Sequence, residues 1–271
     1  MTDTNPTPTT QAELGIGRIL GGTFKLYFSN FPLFFGVVFL PYALFTMLVI
    51  DPVNRNFMAS TTNPLDTLGQ SFMVAGLSMI LIIFLQAIIV RMSISLNGGQ
   101  GPQLGAALRG AVTGFLPIII LGIVAGIATG IGFILLIVPG LYVLALLYVY
   151  VPAIVFEKAG FSALGRSEDL TKGYRWAIVG VILVIMVLTW IISAIYSAVI
   201  FSTVVDLGAV VDGSTDPAAI AAATPWWLNL VASAVQAVTL PITLIASGLV
   251  YARLREIKEG GSTSDLLRVF E

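Results

Sequence analysis

Three charged side chains could carry chemistry near the ends of the apolar stretches of this sequence: Arg91, Glu157 and Arg166. A carboxylate at such a place can pair with a guanidinium or relay a proton. One hypothesis is a structural ion pair, in which Glu157 binds Arg91 or Arg166 at one depth. The alternatives are a side chain that reaches out to the membrane surface and a proton relay. The relay lacks a second acidic residue inside an apolar stretch.

Uncharged polar side chains within the apolar stretches form a second candidate site. If they face one interior, they could line a path for a substrate. The other interpretation is that each forms a hydrogen bond to a neighbouring helix, which is the more common use of such residues. The set comprises Gln86, Tyr148, Thr189, Gln236 and Thr239.

The sequence contains no Cys and no His. The absence of Cys excludes disulfides, thiol nucleophiles and iron–sulfur clusters held by thiolates. The absence of His excludes the Ser-His-Asp triad and most zinc hydrolase sites. We therefore predict a protein without catalytic residues, without a metal site and without a cofactor.

The elements that hold these residues are long apolar segments. Hydrophobic residues make up 57% of the chain and charged residues 10%, whereas a soluble domain carries about 25% charged residues. Six segments are near or above the roughly 20 residues that cross a bilayer as a helix. They are residues 31–50, 71–96, 114–138, 141–157, 176–203 and 227–252. The predicted fold is all-α, a polytopic membrane bundle of six transmembrane helices.

Prolines and glycines punctuate these segments. Val138-Pro139-Gly140 separates the third segment from the fourth and predicts a tight hairpin. Pro41, Pro152 and Pro241 lie within segments and are expected to bend them. A further feature is a row of glycines four residues apart in the third segment, which favours close helix packing within the molecule over a dimer seam. These glycines are Gly122, Gly126 and Gly130.

The distribution of Lys and Arg predicts the orientation in the membrane. With six spans, 12 of the 13 basic residues fall on one side and only Arg55 on the other. The twelve are Arg18, Lys25, Arg91, Arg109, Lys158, Arg166, Lys172, Arg175, Arg253, Arg255, Lys258 and Arg268. We expect both termini to lie in the cytoplasm.

The chain divides into one membrane domain and two tails. Residues 1–12 are rich in Thr and Pro and are predicted to be disordered. Residues 13–257 form the single six-helix domain, and residues 258–271 form a cytoplasmic tail. A weak internal similarity predicts three units, each a short cytoplasmic amphipathic segment followed by two spans; chance similarity among Leu- and Gly-rich segments is the alternative.

The clearest amphipathic segment is residues 161–175, with Gly173 as its predicted C-cap. It is expected to lie on the cytoplasmic leaflet, where Lys172, Arg175 and Trp176 would contact lipid headgroups. Residues 13–29 predict a second interfacial helix. The expected partners are membrane lipids, with a membrane or cytoplasmic protein as a further possibility. The net charge of −1 gives no signal for nucleic acid.

Residues 138–180 resemble the glycerophosphoryl diester phosphodiesterase membrane domain family of bacteria. The matching features are Pro139-Gly140, Pro152-Ala153, Glu157, Ala163-Leu164, Arg166-Ser167, Leu170, Gly173 and Trp176. In some relatives this region precedes a soluble catalytic barrel that uses His and acidic metal ligands. This chain has no His and about 19 residues after its last span. The resemblance therefore implies the fold and a location in the bacterial inner membrane, but not the enzyme activity.

Two functional hypotheses follow. The first is a non-catalytic inner-membrane protein with a structural, accessory or membrane-homeostasis role. The second is a small transporter or lipid-handling permease. A transporter needs polar residues to converge on a cavity beside broken helices, whereas an accessory protein needs only a tightly packed interior.

Overall fold

The structure is a computed structural model that describes residues 13–53, 64–204 and 226–260. Its nine α-helices within these ranges are α1 (Ile16–Ser29), α2 (Phe31–Phe45), α3 (Pro64–Asn97), α4 (Leu104–Leu135), α5 (Ile137–Leu146), α6 (Tyr150–Glu157), α7 (Ala163–Thr171), α8 (Arg175–Val204) and α9 (Trp226–Glu259). A π-helical turn, Thr46–Ile50, continues α2, and a 3₁₀ turn, Gly160–Ser162, precedes α7. No strand occurs in these described ranges. Residues 1–12, the predicted N-terminal tail, lie outside them, as does the predicted C-terminal tail beyond residue 260.

Six helical segments are long and apolar enough to span a membrane, which confirms the predicted all-α bundle with six spans. They are Phe31–Val53, Leu68–Asn97, Leu104–Leu135, Ile137–Glu157, Arg175–Ser202 and Trp226–Glu259. The third span begins at Leu104, ten residues before the predicted start at residue 114, because the amphipathic segment that precedes the span is continuous with it. A separate amphipathic helix therefore precedes only the first and the fifth spans, as α1 and α7. The three-unit repeat stays a prediction.

Helix α9 lies at the centre of the bundle. It packs against α1, α2, α3 and α8, and also contacts α6 and α7. Small residues allow this close approach: a Cβ at Gly248 would lie 2.5 Å from Oγ of Ser93 on α3. Half of the residues in the most apolar stretch of α9 are buried, which is the largest share among the six spans. The order of the other helices around α9 decides which side chains meet in the interior.

The hairpin between the third and fourth spans turns at Leu136, not at the predicted Val138-Pro139-Gly140. Leu136 has extended backbone angles, φ −170° and ψ 162°, and α5 begins at the next residue. Pro139 is tolerated in the first turn of α5 because an N–H at that position would have no acceptor within the helix. Gly140 then faces α4, where a Cβ would lie 2.5 Å from the Phe133 ring.

Candidate functional site

The fourth span is broken in its middle. Helix α5 ends at Leu146, α6 begins at Tyr150, and residues 147–149 form a turn between them. Pro152 lacks the N–H that would donate to the carbonyl of Tyr148 four residues earlier. The other prolines behave differently, since Pro41 and Pro241 lie inside the continuous helices α2 and α9. Only at Pro152, among these three, does the span divide into two helices.

Side chains from two other helices satisfy the backbone groups that the break releases. Ser247 on α9 donates to the carbonyl oxygen of Tyr148 at 2.9 Å. Ser167 on α7 donates to the carbonyl oxygen of Leu146 at 2.7 Å and accepts from the N–H of Val149 at 3.3 Å. Since unpaired backbone groups are costly inside a membrane, these contacts hold the broken segment in place.

A cavity of about 490 Å³ adjoins the break. Its walls come from α3, α4, α9 and the broken fourth span. The surface is mostly apolar and includes the hydroxyl-bearing residues Thr129, Tyr150, Thr243 and Ser247. A volume between roughly 300 and 1,000 Å³ is typical of pockets that bind small molecules.

Glycines on α4 make room for this cavity. Gly122, Gly126 and Gly130 all line it. A Cβ at Gly126 or Gly130 would meet no atom within 4 Å. The prediction that this row packs tightly against another helix is therefore wrong at Gly126 and Gly130, because they border open space. The close contact is made elsewhere on α4, where a Cβ at Gly132 would lie 2.9 Å from Cα of Gly140.

The predicted polar cluster is divided by the structure. Gln86 and Tyr148 line the cavity together. Thr189 lies on α8, away from it, and its hydroxyl donates to the carbonyl of Met186 at 3.0 Å. Thr239 is buried and donates to the carbonyl of Val235 at 2.9 Å. Gln236 is half-buried on α9 and does not line the cavity.

Sequence reasoning missed four polar residues of the cavity: Thr129, Tyr150, Thr243 and Ser247. The spacing of α9 contained part of the signal, because Gln236, Thr243 and Ser247 recur at steps of seven and four residues and share one helix face. Gln236 was thus predicted on this face of α9, but the residues of the same face that line the cavity are Thr243 and Ser247, further along the helix. Tyr150 could not be found this way, since the break that positions it depends on distant partners.

A network of charged residues lies at the C-terminal end of the fourth span. Glu157, the last residue of α6, receives two hydrogen bonds from Arg166 on α7, at 2.7 and 2.9 Å. Tyr251 on α9 donates to the same carboxylate at 2.7 Å. Arg255 lies 3.5 Å from Glu157 and binds Glu259 at 2.7 Å, and Glu259 also pairs with Arg166. The network joins α6, α7 and α9.

The bidentate contact fixes the charge state of Arg166. Its hydrogen bonds to the Glu157 carboxylate raise the pKa of this guanidinium further above its ordinary value, against the opposing effect of burial. Arg166 therefore stays protonated at every pH at which the protein would be studied. Tyr251, Arg255 and Glu259 were not predicted as members; the four-residue spacing of Arg255 and Glu259 was the available signal.

Arg91 does not pair with Glu157. Its guanidinium donates to the carbonyl of Val155 at 3.4 Å and lies 5.3 Å from the centre of the Phe156 ring. The predicted Arg91–Glu157 ion pair is therefore absent, because Glu157 turns toward α7 and α9 while Arg91 contacts the two residues before it. Burial of the guanidinium over an aromatic ring is a recognised arrangement for Arg.

The three predicted headgroup contacts have different environments. Lys172 and Trp176 are exposed. Arg175 is only 14% exposed and lies 3.6 Å from Glu168. It also donates to the hydroxyl of Tyr142, with its guanidinium 5.0 Å from the centre of that ring. Gly173, the predicted C-cap, has φ +90°, a conformation that favours glycine.

These features define a helical membrane protein with six spans, a broken fourth span and a cavity that is open on the side of the exposed residues Gly126 and Gly130, within the described residues. No family model matches the chain, and no significant match is found among curated proteins or solved structures. The resemblance to the glycerophosphoryl diester phosphodiesterase membrane domain stays a prediction.

Proposed function

We propose that this protein is a non-enzymatic, lipid-handling permease that binds an amphipathic molecule in the cavity beside its fourth span. The observation that carries the proposal is the coincidence of a 490 Å³ cavity with a broken transmembrane helix. Interrupted helices beside a cavity near the middle of the membrane are typical of transporter binding sites. The permease hypothesis, which came second in the sequence analysis, is thus preferred to the accessory role.

The depth of the cavity supports this function. Gln86 lies eleven residues before the end of α3 at Asn97, a distance of about 16 Å along a helix. That depth is close to the middle of a hydrocarbon layer about 30 Å thick. A mostly apolar wall with a few hydroxyl groups suits a molecule with a long apolar part and a small polar part.

The proposed location is the bacterial inner membrane, with both termini in the cytoplasm. The asymmetry of 12 basic residues against one between the two sides of the spans supports the orientation. The resemblance of residues 138–180 to a bacterial membrane-domain family supports the choice of membrane. Lys172 and Trp176, both exposed next to the start of α8, would contact anionic headgroups on that side.

Photolabelling in nanodiscs tests the proposal. The probe is phosphatidylethanolamine with a diazirine in one acyl chain, and labelled peptides are mapped by mass spectrometry. We expect labelling to concentrate on residues 122–133 and 143–150. Replacing Gly126 or Gly130 by Leu fills the cavity and should remove most of this labelling.

Gly76→Leu is the matched control. Gly76 also has open space around it and is exposed on α3, but it does not line the cavity. Labelling that is spread evenly over all exposed helices, and that responds equally to the substitutions at Gly76 and Gly126, would refute the proposal.

A non-catalytic accessory role is the second candidate. The observation that favours it is the outer face of α7, where Glu168 and Asp169 are exposed beside Lys172. Such a face could bind a protein partner. Cross-linking of a Glu168→Cys variant in intact cells would test it: a defined cross-linked protein supports a partner, whereas cross-links to lipid alone contradict one.

A further inference from the structure

We propose that the cavity selects an uncharged amphiphile whose polar head is a hydroxyl group, and that it discriminates against the anionic form of a fatty acid or lipid. This inference rests on the proposed function, because it names the class of ligand for the same cavity. The chemistry of the described lining residues carries it.

The first argument concerns charge. The described residues that line the cavity include no Asp, Glu, Lys or Arg. An ionised headgroup would therefore lose its hydration without meeting a counter-charge, which is strongly unfavourable in an apolar environment. The guanidinium of Arg91 is held against Phe156 and the Val155 carbonyl, and that of Arg166 is bound by Glu157 and Glu259.

The second argument concerns hydrogen bonding. The phenol oxygen of Tyr150 faces α4 at Gly122, where a Cβ would lie only 3.2 Å from it. The hydroxyl therefore packs against the bare backbone of this glycine at the cavity wall, and it can donate or accept a hydrogen bond. Gln86 lies on the α3 wall and offers both an amide donor and a carbonyl acceptor. A ligand hydroxyl can satisfy both types of partner.

The third argument concerns the hydroxyl group of Ser247 on α9. Ser247 already donates its proton to the Tyr148 carbonyl at 2.9 Å. Because this proton is already engaged, the Ser247 oxygen can only accept a hydrogen bond from a ligand. Acceptors are useful to a ligand that carries an O–H group, and they are repulsive to a carboxylate.

A pair of probes that differ only in their head group tests this inference. A diazirine-bearing 1-hexadecanol labels the protein in nanodiscs of zwitterionic lipid at pH 8, and unlabelled hexadecanol or palmitate competes at equal mole fraction. We expect hexadecanol to compete at least about tenfold better, given the cost of burying an unpaired charge. Gln86→Lys should reverse the order, because it supplies a counter-charge.

Tyr150→Phe provides a milder variant that keeps the shape of the cavity. Losing one hydrogen bond should weaken hexadecanol competition roughly fivefold. Tyr142→Phe is its control, since Tyr142 contacts Arg175 and does not line the cavity, and it should leave competition unchanged.

The outcomes separate this inference from the proposed function. If palmitate competes as well as hexadecanol in the unmodified protein, the cavity binds lipid-like molecules but does not select for charge, and the inference is wrong. If hexadecanol labelling does not saturate, or is insensitive to Gly126→Leu, the cavity does not bind such molecules and the proposed function fails as well.

Discussion

The hydroxyl of Ser247 and the carbonyl oxygen of Tyr148 lie 2.9 Å apart, although 99 residues separate them in the chain. This hydrogen bond fastens the central helix α9 to the point where the fourth span breaks. It replaces the bond that Pro152, without an N–H, does not supply. The Tyr148 carbonyl, which has no donor within its own helix at Pro152, thus receives a hydrogen bond from a distant part of the chain.

Replacing Ser247 by Ala should destabilise the protein by about 0.5–1.5 kcal/mol, because the Tyr148 carbonyl loses its donor. The measurement is reversible unfolding in mixed micelles with increasing SDS. Ser78→Ala is the control, since the Ser78 hydroxyl donates to the Val74 carbonyl within its own helix at 2.7 Å. Equal effects of the two substitutions would contradict the role assigned to Ser247.

Replacing Glu157 by Gln should lower the folded yield and destabilise the protein by roughly 1–3 kcal/mol, because two hydrogen bonds from Arg166 would lose their charged acceptor. The yield of monodisperse protein after purification gives the first measurement and SDS unfolding the second. Glu168→Gln is the control, because Glu168 is 58% exposed and lies 3.6 Å from Arg175.

A double-mutant cycle then isolates the Glu157–Arg166 pair. The coupling between Glu157→Gln and Arg166→Gln should be about 1 kcal/mol or more, since the two residues share two direct hydrogen bonds. Additive effects would show that each side chain acts independently, and unchanged yield in Glu157→Gln would remove the structural role altogether.

Glycines of the third and fourth spans should differ in their tolerance of a methyl group. Gly140→Ala should destabilise by about 1–3 kcal/mol, because its Cβ would lie 2.5 Å from the Phe133 ring. Gly126→Ala should be nearly neutral, since its Cβ would meet no atom within 4 Å. SDS unfolding of both variants makes the comparison, and a larger effect at Gly126 would contradict the position of the cavity.

Lys172 and Arg175 should contribute to different properties. Lys172→Gln should reduce the preference for spin-labelled phosphatidylglycerol by up to about 1 kcal/mol, because an exposed cation near the surface attracts anionic lipid. Arg175→Gln should mainly reduce stability, because its guanidinium contacts Tyr142 and Glu168. Electron paramagnetic resonance measures the lipid preference. A loss of preference in Arg175→Gln alone would reverse this assignment.

The sequence predicted the six spans because each apolar segment independently satisfies the length that a bilayer requires. The amphipathic character of residues 161–175 was predicted in the same way, and the structure shows Ala163, Ser167 and Leu170 buried at helical spacing on α7. These are properties of single segments. They follow from composition and period, without knowledge of any partner.

The breaks in the helices were harder to predict. Pro139-Gly140 is a stronger turn signal than Leu136, yet the turn falls at Leu136 because the close packing of Gly132 and Gly140 sets the position of α5. The break at residues 147–149 occurs within residues 141–157, an apolar stretch that contains no Gly. Its partners, Ser167 and Ser247, lie 18 and 99 residues away from the groups they bind.

The candidate site was predicted only in part for the same reason. Gln86 and Tyr148 were found by their polarity within apolar segments, and the structure brings both to the cavity wall. The empty space itself comes from Gly126 and Gly130. A row of glycines predicts close packing as readily as it predicts a void, and only the placement of neighbouring helices distinguishes the two.

The central position of α9 has a consequence for biogenesis. This helix is the last described span to leave the ribosome, yet α1, α2, α3 and α8 all pack against it. Until it is inserted, the Tyr148 carbonyl lacks Ser247 and the Glu157 carboxylate lacks Tyr251. The packing of the earlier spans can therefore be completed only after α9 has been synthesised and inserted.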